Sequence, residues 1–238
     1  AELEGIPERL VVPLAESFSI NARLADTSKW KPASAKARYI DQSTIRAKVK
    51  NNVYTFNISP QRDPGQLKIQ AGDDREVVAI KPMSRPELES LNAIIDLPDY
   101  LQYSSPVNHA GRSGTLSILR GSRTQIQATI SRDLRMASVD GNSIETDGNS
   151  IGTPWIELEE SRTLTFNWRD IHGLEAKEPL ELKLTATEDK PPTIRCVSSL
   201  HDRILLEDEV VTFDITASDD FGIRKIGLQW EGLPGTAD

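Results

Sequence analysis

The sequence has only one cysteine, Cys196, among its 238 residues. No disulfide can form within the chain, and cysteine pairing gives no information about the redox compartment. No apolar run approaches the roughly 20 residues of a membrane helix, so we expect no membrane insertion by this part of the protein. The opening residues, AELEGIPERL, also lack the basic and apolar regions of a signal peptide.

Basic residues are scarce relative to acidic ones. The chain has 28 Lys and Arg against 36 Asp and Glu, and its formal net charge is −8. Broad binding to a phosphate backbone needs clustered Lys and Arg, so the composition argues against nucleic acid as a partner. The hydrophobic share of 37% and the charged share of 27% are typical of a globular chain.

The sequence contains many short runs in which apolar and polar residues alternate, and the clearest begins at Arg162. Leu164, Phe166 and Trp168 alternate with polar residues, which is the period of a half-buried strand. A turn signal with Asp and Gly follows at 170–173, and a second alternating run covers 180–186. This pattern predicts an antiparallel hairpin that closes a β-sandwich.

Similar runs fill the preceding residues, and no stretch of comparable length has a helical period. Pro82 and Pro86 mark a linker, because proline discourages ladder pairing, and Pro191 and Pro192 mark a second one. The predicted domains are therefore 1–85, 86–190 and 191–238. The strands expected in the first domain are Leu10–Val12, Phe18–Leu24, Ala35–Ile40, Ile45–Val49, Val53–Ile58, Leu67–Ala71 and Val77–Met83.

The second domain is expected to contain a loop over 104–114, a hairpin of 115–119 with 123–130, and a second hairpin at 140–142, which is followed by Asp147-Gly148-Asn149. The third pattern stops after about three strands, with a hairpin expected between 210–217 and 223–230. We therefore expect a fragment of a longer protein. A hairpin with an uncovered face and edge predicts homo-association through 191–238.

Four segments of the chain carry a resemblance to known proteins. They are Leu97-Pro98-Asp99-Tyr100, the run from Gly114 to Ser122, Asp170-Ile171-His172-Gly173-Leu174, and the stretch from Asp189-Lys190-Pro191-Pro192 to Ala217-Ser218-Asp219-Asp220-Phe221-Gly222. In this order they resemble tandem immunoglobulin-like modules of large, membrane-associated bacterial envelope proteins. The resemblance runs from Pro86 to Trp230, and it implies periplasmic or extracellular modules whose partners are other proteins or further modules of the same chain.

No catalytic or cofactor site is predicted. His109, His172 and His201 lie in separate segments without the spacing of metal ligands. Cys196 lies in an alternating run, so we expect a small buried residue there and not a nucleophile, and no base is paired with it. Acidic turns near the domain edges leave calcium as an alternative to plain turn chemistry, because carboxylates from several loops suit a hard cation. The calcium candidates are Asp73, Asp74, Asp189, Asp219 and Asp220.

Four tryptophans are spread over the predicted domains, Trp30, Trp155, Trp168 and Trp230. Trp155 and Trp168 are expected in the second core, although an exposed pair beside a groove would instead favour sugar binding. The sequence thus predicts an all-β chain of tandem immunoglobulin-like β-sandwiches, two complete and one partial. The expected function is a non-enzymatic spacer or protein-interaction array of the bacterial cell envelope. The alternative is a carbohydrate- or calcium-binding module.

Overall fold

The computed structural model describes residues 1–40, 42–111, 114–197, 210, 212 and 214–229. Two complete β-sandwiches account for most of them, and we call these module one and module two. None of the helices described is long and apolar enough to span a membrane. The only helical element in these ranges is a single 3₁₀ turn, Asp99–Leu101.

Module one has a three-stranded sheet packed against a five-stranded sheet. The orders are β1-β3-β6 and β2-β8-β7-β4-β5, and β2 runs parallel to β8. Alternate residues of the strands point inward, so Tyr54, Phe56 and Ile58 of β6 are buried between the sheets. The strands are β1 (Leu3–Glu4), β2 (Arg9–Pro13), β3 (Phe18–Leu24), β4 (Ser34–Tyr39), β5 (Ile45–Lys48), β6 (Val53–Ile58), β7 (Gly65–Ala71) and β8 (Asp74–Met83).

Module two repeats this arrangement with a separate core that includes Leu164, Phe166 and Trp168. One sheet has the order β10-β9-β12-β16-β15, with β17 also on β12, and the other has the order β11-β19-β18-β13-β14. The strands are β9 (Leu88–Asp96), β10 (Val107–Gly111), β11 (Thr115–Leu119), β12 (Ser122–Ile130), β13 (Leu134–Val139), β14 (Asn142–Ile144), β15 (Thr146–Asp147), β16 (Ser150–Gly152), β17 (Ile156–Leu158), β18 (Arg162–Asp170) and β19 (Leu180–Thr187).

The strand order is immunoglobulin-like in both modules. The last two strands form a hairpin beside the third main strand, β4 or β13, and the first strand lies in the opposite sheet beside β3 or β12. A further strand near the start, β2 or β11, crosses over to run parallel to the last strand. The chain is therefore all-β, with tandem immunoglobulin-like sandwiches, as the alternating pattern predicts.

Two expectations within module two are wrong in detail. The segments 115–119 and 123–130 do not form a hairpin, because β11 pairs with β19 while β12 pairs with β9 in the other sheet. The chain changes sheets at Gly121, whose φ of +78° is easy for glycine. The loop expected over 104–114 also contains a strand, since β10 adds to the edge of β9.

Pro82 does not lie in the linker but near the end of β8, where it pairs with Val12 of β2. The proline is tolerated because the register with β7 ends at Ile80, so beyond that point β8 has a strand partner on one side only. The hairpin predicted at 140–142 is confirmed, as is the pairing of β18 with β19. A further hairpin joins β15 to β16 around 147–150.

Beyond Lys190 the structure describes a small antiparallel pair, β20 (Thr193–Cys196) with β21 (Ile215–Ser218). The segment 215–218 thus pairs with β20 and not with 223–230. No strand is assigned to 223–229, and Trp230 lies outside the described residues. Ile194 is 64% exposed and Leu228 is 65% exposed, and the expected association through 191–238 stays a prediction.

Candidate functional site

The residues that join module one to module two form a polar joint centred on Arg85. The Arg85 guanidinium binds the Glu16 carboxylate at two points, Nε to Oε1 at 3.0 Å and Nη2 to Oε2 at 3.0 Å. Its Nη1 donates to the main-chain oxygen of Glu175 at 3.0 Å. Glu16 lies between β2 and β3 of module one, and Glu175 follows β18 of module two, so one side chain holds both modules.

Three further contacts fix the linker to module two. The indole Nε1 of Trp168 donates to the Pro86 carbonyl at 3.2 Å, and the Arg132 guanidinium donates to the Ser84 carbonyl. The main chain of Glu87 exchanges hydrogen bonds with Ser131. The linker is therefore bound along its length, whereas Pro86 alone would only stiffen it.

The joint also changes the acidity of Glu16. The hydrogen bond from Arg85, and then the positive charges of Arg85 and Lys177, hold the pKa of the Glu16 carboxyl below its ordinary value. The Glu16–Arg85 ion pair therefore stabilises the joint fully at pH values above the ordinary glutamate pKa of about 4.3. This contribution is lost as the pH falls through the lower pKa of the closed joint.

Two tyrosines near the 3₁₀ turn of module two bind residues at and beyond the end of that module, and the partner of Tyr103 lies after Lys190. The Tyr100 hydroxyl donates to Asp189 Oδ2 at 2.9 Å, and the Tyr103 hydroxyl donates to the Phe221 carbonyl at 3.2 Å. Desolvation, the bond to Asp189 and the charges of Asp189, Asp220 and Asp219 all raise the pKa of Tyr100. Three of the calcium candidates, Asp189, Asp219 and Asp220, therefore lie close enough to the Tyr100 hydroxyl for their charges to act on it.

The other two calcium candidates lie in the β7–β8 turn of module one. Asp73 Oδ1 accepts from the Ala1 amino group at 2.8 Å, and Asp74 accepts from the main-chain amides of Leu3 and Arg75 at 2.6 and 2.9 Å. Only the bond from the Arg75 amide is local to the turn, and the other two tie the turn to the first residues of the chain. Within the described ranges no group of three or more His, Cys, Asp or Glu side chains is placed to hold a metal ion.

The histidines do not come together. His109 lies on β10 and His172 in the turn after β18, both are exposed, and neither imidazole forms a hydrogen bond within the described part of the chain. His201 lies outside the described residues. Cys196 is exposed on β20 and is not the small buried residue that its alternating run suggests.

Trp168 is buried as predicted, but Trp155 is 44% exposed. Trp155 follows Pro154 in a break between β16 and β17, and the Arg123 guanidinium lies 5.6 Å from its ring centroid. Arg123 is itself held by Asp96 at 2.8 Å. The prediction that Trp155 fills the second core is wrong, because the break turns its side chain outward.

The same break opens a groove of about 880 Å³ along one side of module two. Thr153 spans the break, since Ile126 N donates to Thr153 Oγ1 at 2.9 Å and Thr153 N donates back to Ile126 O. Pro154 and Ile156, the sequence neighbours of Trp155, line the groove. The charged and amide side chains that line it belong to Gln125, Gln127, Asp140, Asn142, Glu145, Asp147 and Arg162.

No protein-family model matches the sequence, and no curated protein is recognisably related to it. Among solved structures, the fibronectin(III)-like modules of Clostridium thermocellum CbhA align over 83% of this chain and 95% of theirs, with 15% identity and a TM-score of 0.36. The polymeric Ig receptor ectodomain of a teleost fish aligns over 80% and 100%, with 8% identity and a TM-score of 0.30. Domains 4 and 5 of the S-layer protein SbsC align over 69% and 79%, with 13% identity and a TM-score of 0.21. Likenesses at these values decide neither family nor activity, and the fold assignment rests on the strand order.

Proposed function

We propose that this chain is a non-enzymatic spacer of the bacterial cell envelope, outside the cytoplasm, in which modules one and two form a rigid unit. The observation that carries the proposal is the Arg85 joint, which binds Glu16 and Glu175 from opposite modules. A spacer transmits distance and orientation, and it does so only if its joints resist bending. Ordinary interdomain contacts allow relative motion unless the interface is extensive.

The sequence resemblance to envelope modules supports the compartment, and the scarcity of basic residues fits a role without nucleic acid. The same resemblance leads us to propose further modules or other proteins as partners. Protein contacts would be made by the outer surfaces of the sandwiches, since their inner faces are filled by the two cores.

We expect Arg85→Ala to loosen the joint. Spin labels at Lys36→Cys in module one and Lys183→Cys in module two, with Cys196→Ser, report the distance between the modules. The parent chain should give one narrow distance distribution, and Arg85→Ala should broaden it. Arg85→Lys should broaden it partly, because an ammonium keeps the charge but not the two-point geometry of a guanidinium.

The control is Arg75→Ala, which removes the same charge from an exposed position on β8 and should leave the distribution narrow. Lowering the pH through the depressed pKa of Glu16 should reproduce the effect of Arg85→Ala. A distribution that is already broad in the parent would show that the joint is not rigid.

A second candidate function is binding of a neutral polysaccharide in the groove of module two. Trp155 favours it, because its exposed indole offers an apolar face and its sequence neighbours Pro154 and Ile156 line the groove. Three carboxylates against one guanidinium line the groove, which disfavours acidic chains. A pair of exposed tryptophans at one groove is not found in the described residues, since Trp30 is 57% exposed on module one.

We expect Trp155→Ala to weaken binding of soluble neutral glucan and N-acetylglucosamine oligomers by at least about tenfold, a free-energy loss near 1.4 kcal/mol. Titration calorimetry measures this loss. Trp30→Ala is the matched control, because it removes an exposed tryptophan from the other module. Equal binding by the parent and Trp155→Ala, or none by either, would eliminate this candidate.

A further inference from the structure

Strand β10 (Val107–Gly111) is an addition to module two that supplies nothing to its core. It pairs with β9 along all five residues, yet none of its side chains is buried. In the part of the chain that the structure describes, no strand pairs with its outer edge. Its outer edge is therefore a row of main-chain N–H and C=O groups that is open to another strand.

Natural proteins protect such edges with charge, proline, a very short strand or a covering element. Most other outer strands here follow that rule. β5 carries Arg46 and Lys48, β2 begins with Arg9 and ends with Pro13, and β14 and β15 are three and two residues long. β6 is uncharged but also contacts β5 of the facing sheet.

β11 is also an uncharged edge, but three of its five side chains are buried, so the core explains its presence. β10 has no such explanation, and it contains neither charge nor proline. Its neighbours on the outward face of the sheet, Asn92 and Ile94 of β9, are uncharged as well. β10 and these two neighbours therefore form an uncharged strip on a chain whose net charge is −8.

We propose that this edge binds a second copy of the chain through β10 itself. Two β10 strands related by a two-fold axis would run antiparallel, with His109 opposite His109 and Val107 opposite Gly111 of the other copy. Such a contact is isologous, because both copies use the same strand. In each copy β10 is the sheet edge that accepts a strand and also the strand that extends the sheet of the other copy. Like charges directly opposite each other in a ladder are destabilising. The five residues of β10 include no Asp, Glu, Lys or Arg, so this pairing places no such charges opposite each other.

The two-fold arrangement fixes a register that single cysteines can test. Directly opposite residues of an antiparallel pair have Cα atoms about 4.5 or 5.5 Å apart, which is within the range of a disulfide. In the full chain with Cys196→Ser, His109→Cys should form a crosslinked dimer under mild oxidation. Val107→Cys should not, because the two copies of residue 107 would lie about 14 Å apart along the strands.

A second measurement uses mass in solution as a function of concentration. The full chain should associate reversibly, and His109→Lys should weaken association at least about tenfold by placing two ammonium groups opposite each other. Asn167→Lys, at an exposed position on the interior strand β18, is the matched control and should leave association unchanged. Folding of each variant is checked by its circular dichroism and melting curve.

Three results would overturn the proposal. They are a parent chain that stays monomeric at the highest concentration reached, crosslinking through residue 107 as efficient as through residue 109, and association that His109→Lys leaves unchanged. The last result would point instead to the association predicted through 191–238, because that contact does not involve β10.

Discussion

Replacing Asp170 by alanine should lower the free energy of unfolding of module two by about 3–5 kcal/mol, the usual loss when one partner of a buried ion pair is removed. The Asp170 side chain is fully buried, and its carboxylate accepts from Arg132 Nη1 at 3.0 Å and from the main-chain amides of His172 and Leu174 at 2.9 and 2.8 Å. Its loss would leave the main-chain amides of His172 and Leu174 without this acceptor and Arg132 without its counter-charge.

Asp96→Ala is the matched control for this substitution. Asp96 accepts from Arg123 at 2.8 Å, but both side chains are largely exposed, so its removal should cost less than about 1 kcal/mol. Asp170→Asn should give an intermediate loss, because an amide oxygen can still accept from the turn. Urea unfolding measures all three, and a similar small loss for Asp170→Ala and Asp96→Ala would mean that the turn does not depend on the buried carboxylate.

Strand positions were predictable in this chain because burial on one face imposes a period of two residues. The predicted run Val53–Ile58 and the observed β6 coincide, since Tyr54, Phe56 and Ile58 all point into the core. Strand β1 has two residues, too few to show a period. Strand β10 shows no alternation, because none of its side chains is buried.

Strand pairing was harder to predict, since it depends on residues far apart in the sequence. The segment 115–119 was expected to pair with its neighbour 123–130, but its partner is β19, more than 60 residues later. Short-range turn signals such as Gly121 indicate where the chain turns, but they do not indicate which sheet the next strand joins. The long-range parallel pair has no local signature.

The candidate sites lay beyond sequence reasoning for the same reason. Glu16 and Arg85 are 69 residues apart and look like ordinary surface residues in the sequence. The proline at 86 marks the joint, but the side chains that fix it come from three separate segments. The exposure of Trp155 did have a signal, because Pro154 interrupts the strand just before it.

Phe56→Ala and Phe166→Ala should each lower the stability of one module by about 3–5 kcal/mol. Phe56 is fully buried in the core of module one and Phe166 in that of module two, and the two cores share no residue. If residues 1–85 and 86–190 are separate domains, each substitution should shift one unfolding transition and leave the other nearly in place. The polar contacts of the Arg85 joint contribute less free energy between the modules than apolar packing contributes within either core.

Calorimetry resolves the two transitions, and hydrogen exchange assigns each to a module. Phe18→Ala is the control, because Phe18 is only partly buried at the start of β3 and should cost less than Phe56→Ala. A single transition that both core substitutions shift equally would mean that the two sandwiches unfold as one unit, and the boundary near residue 85 would then be geometric but not thermodynamic.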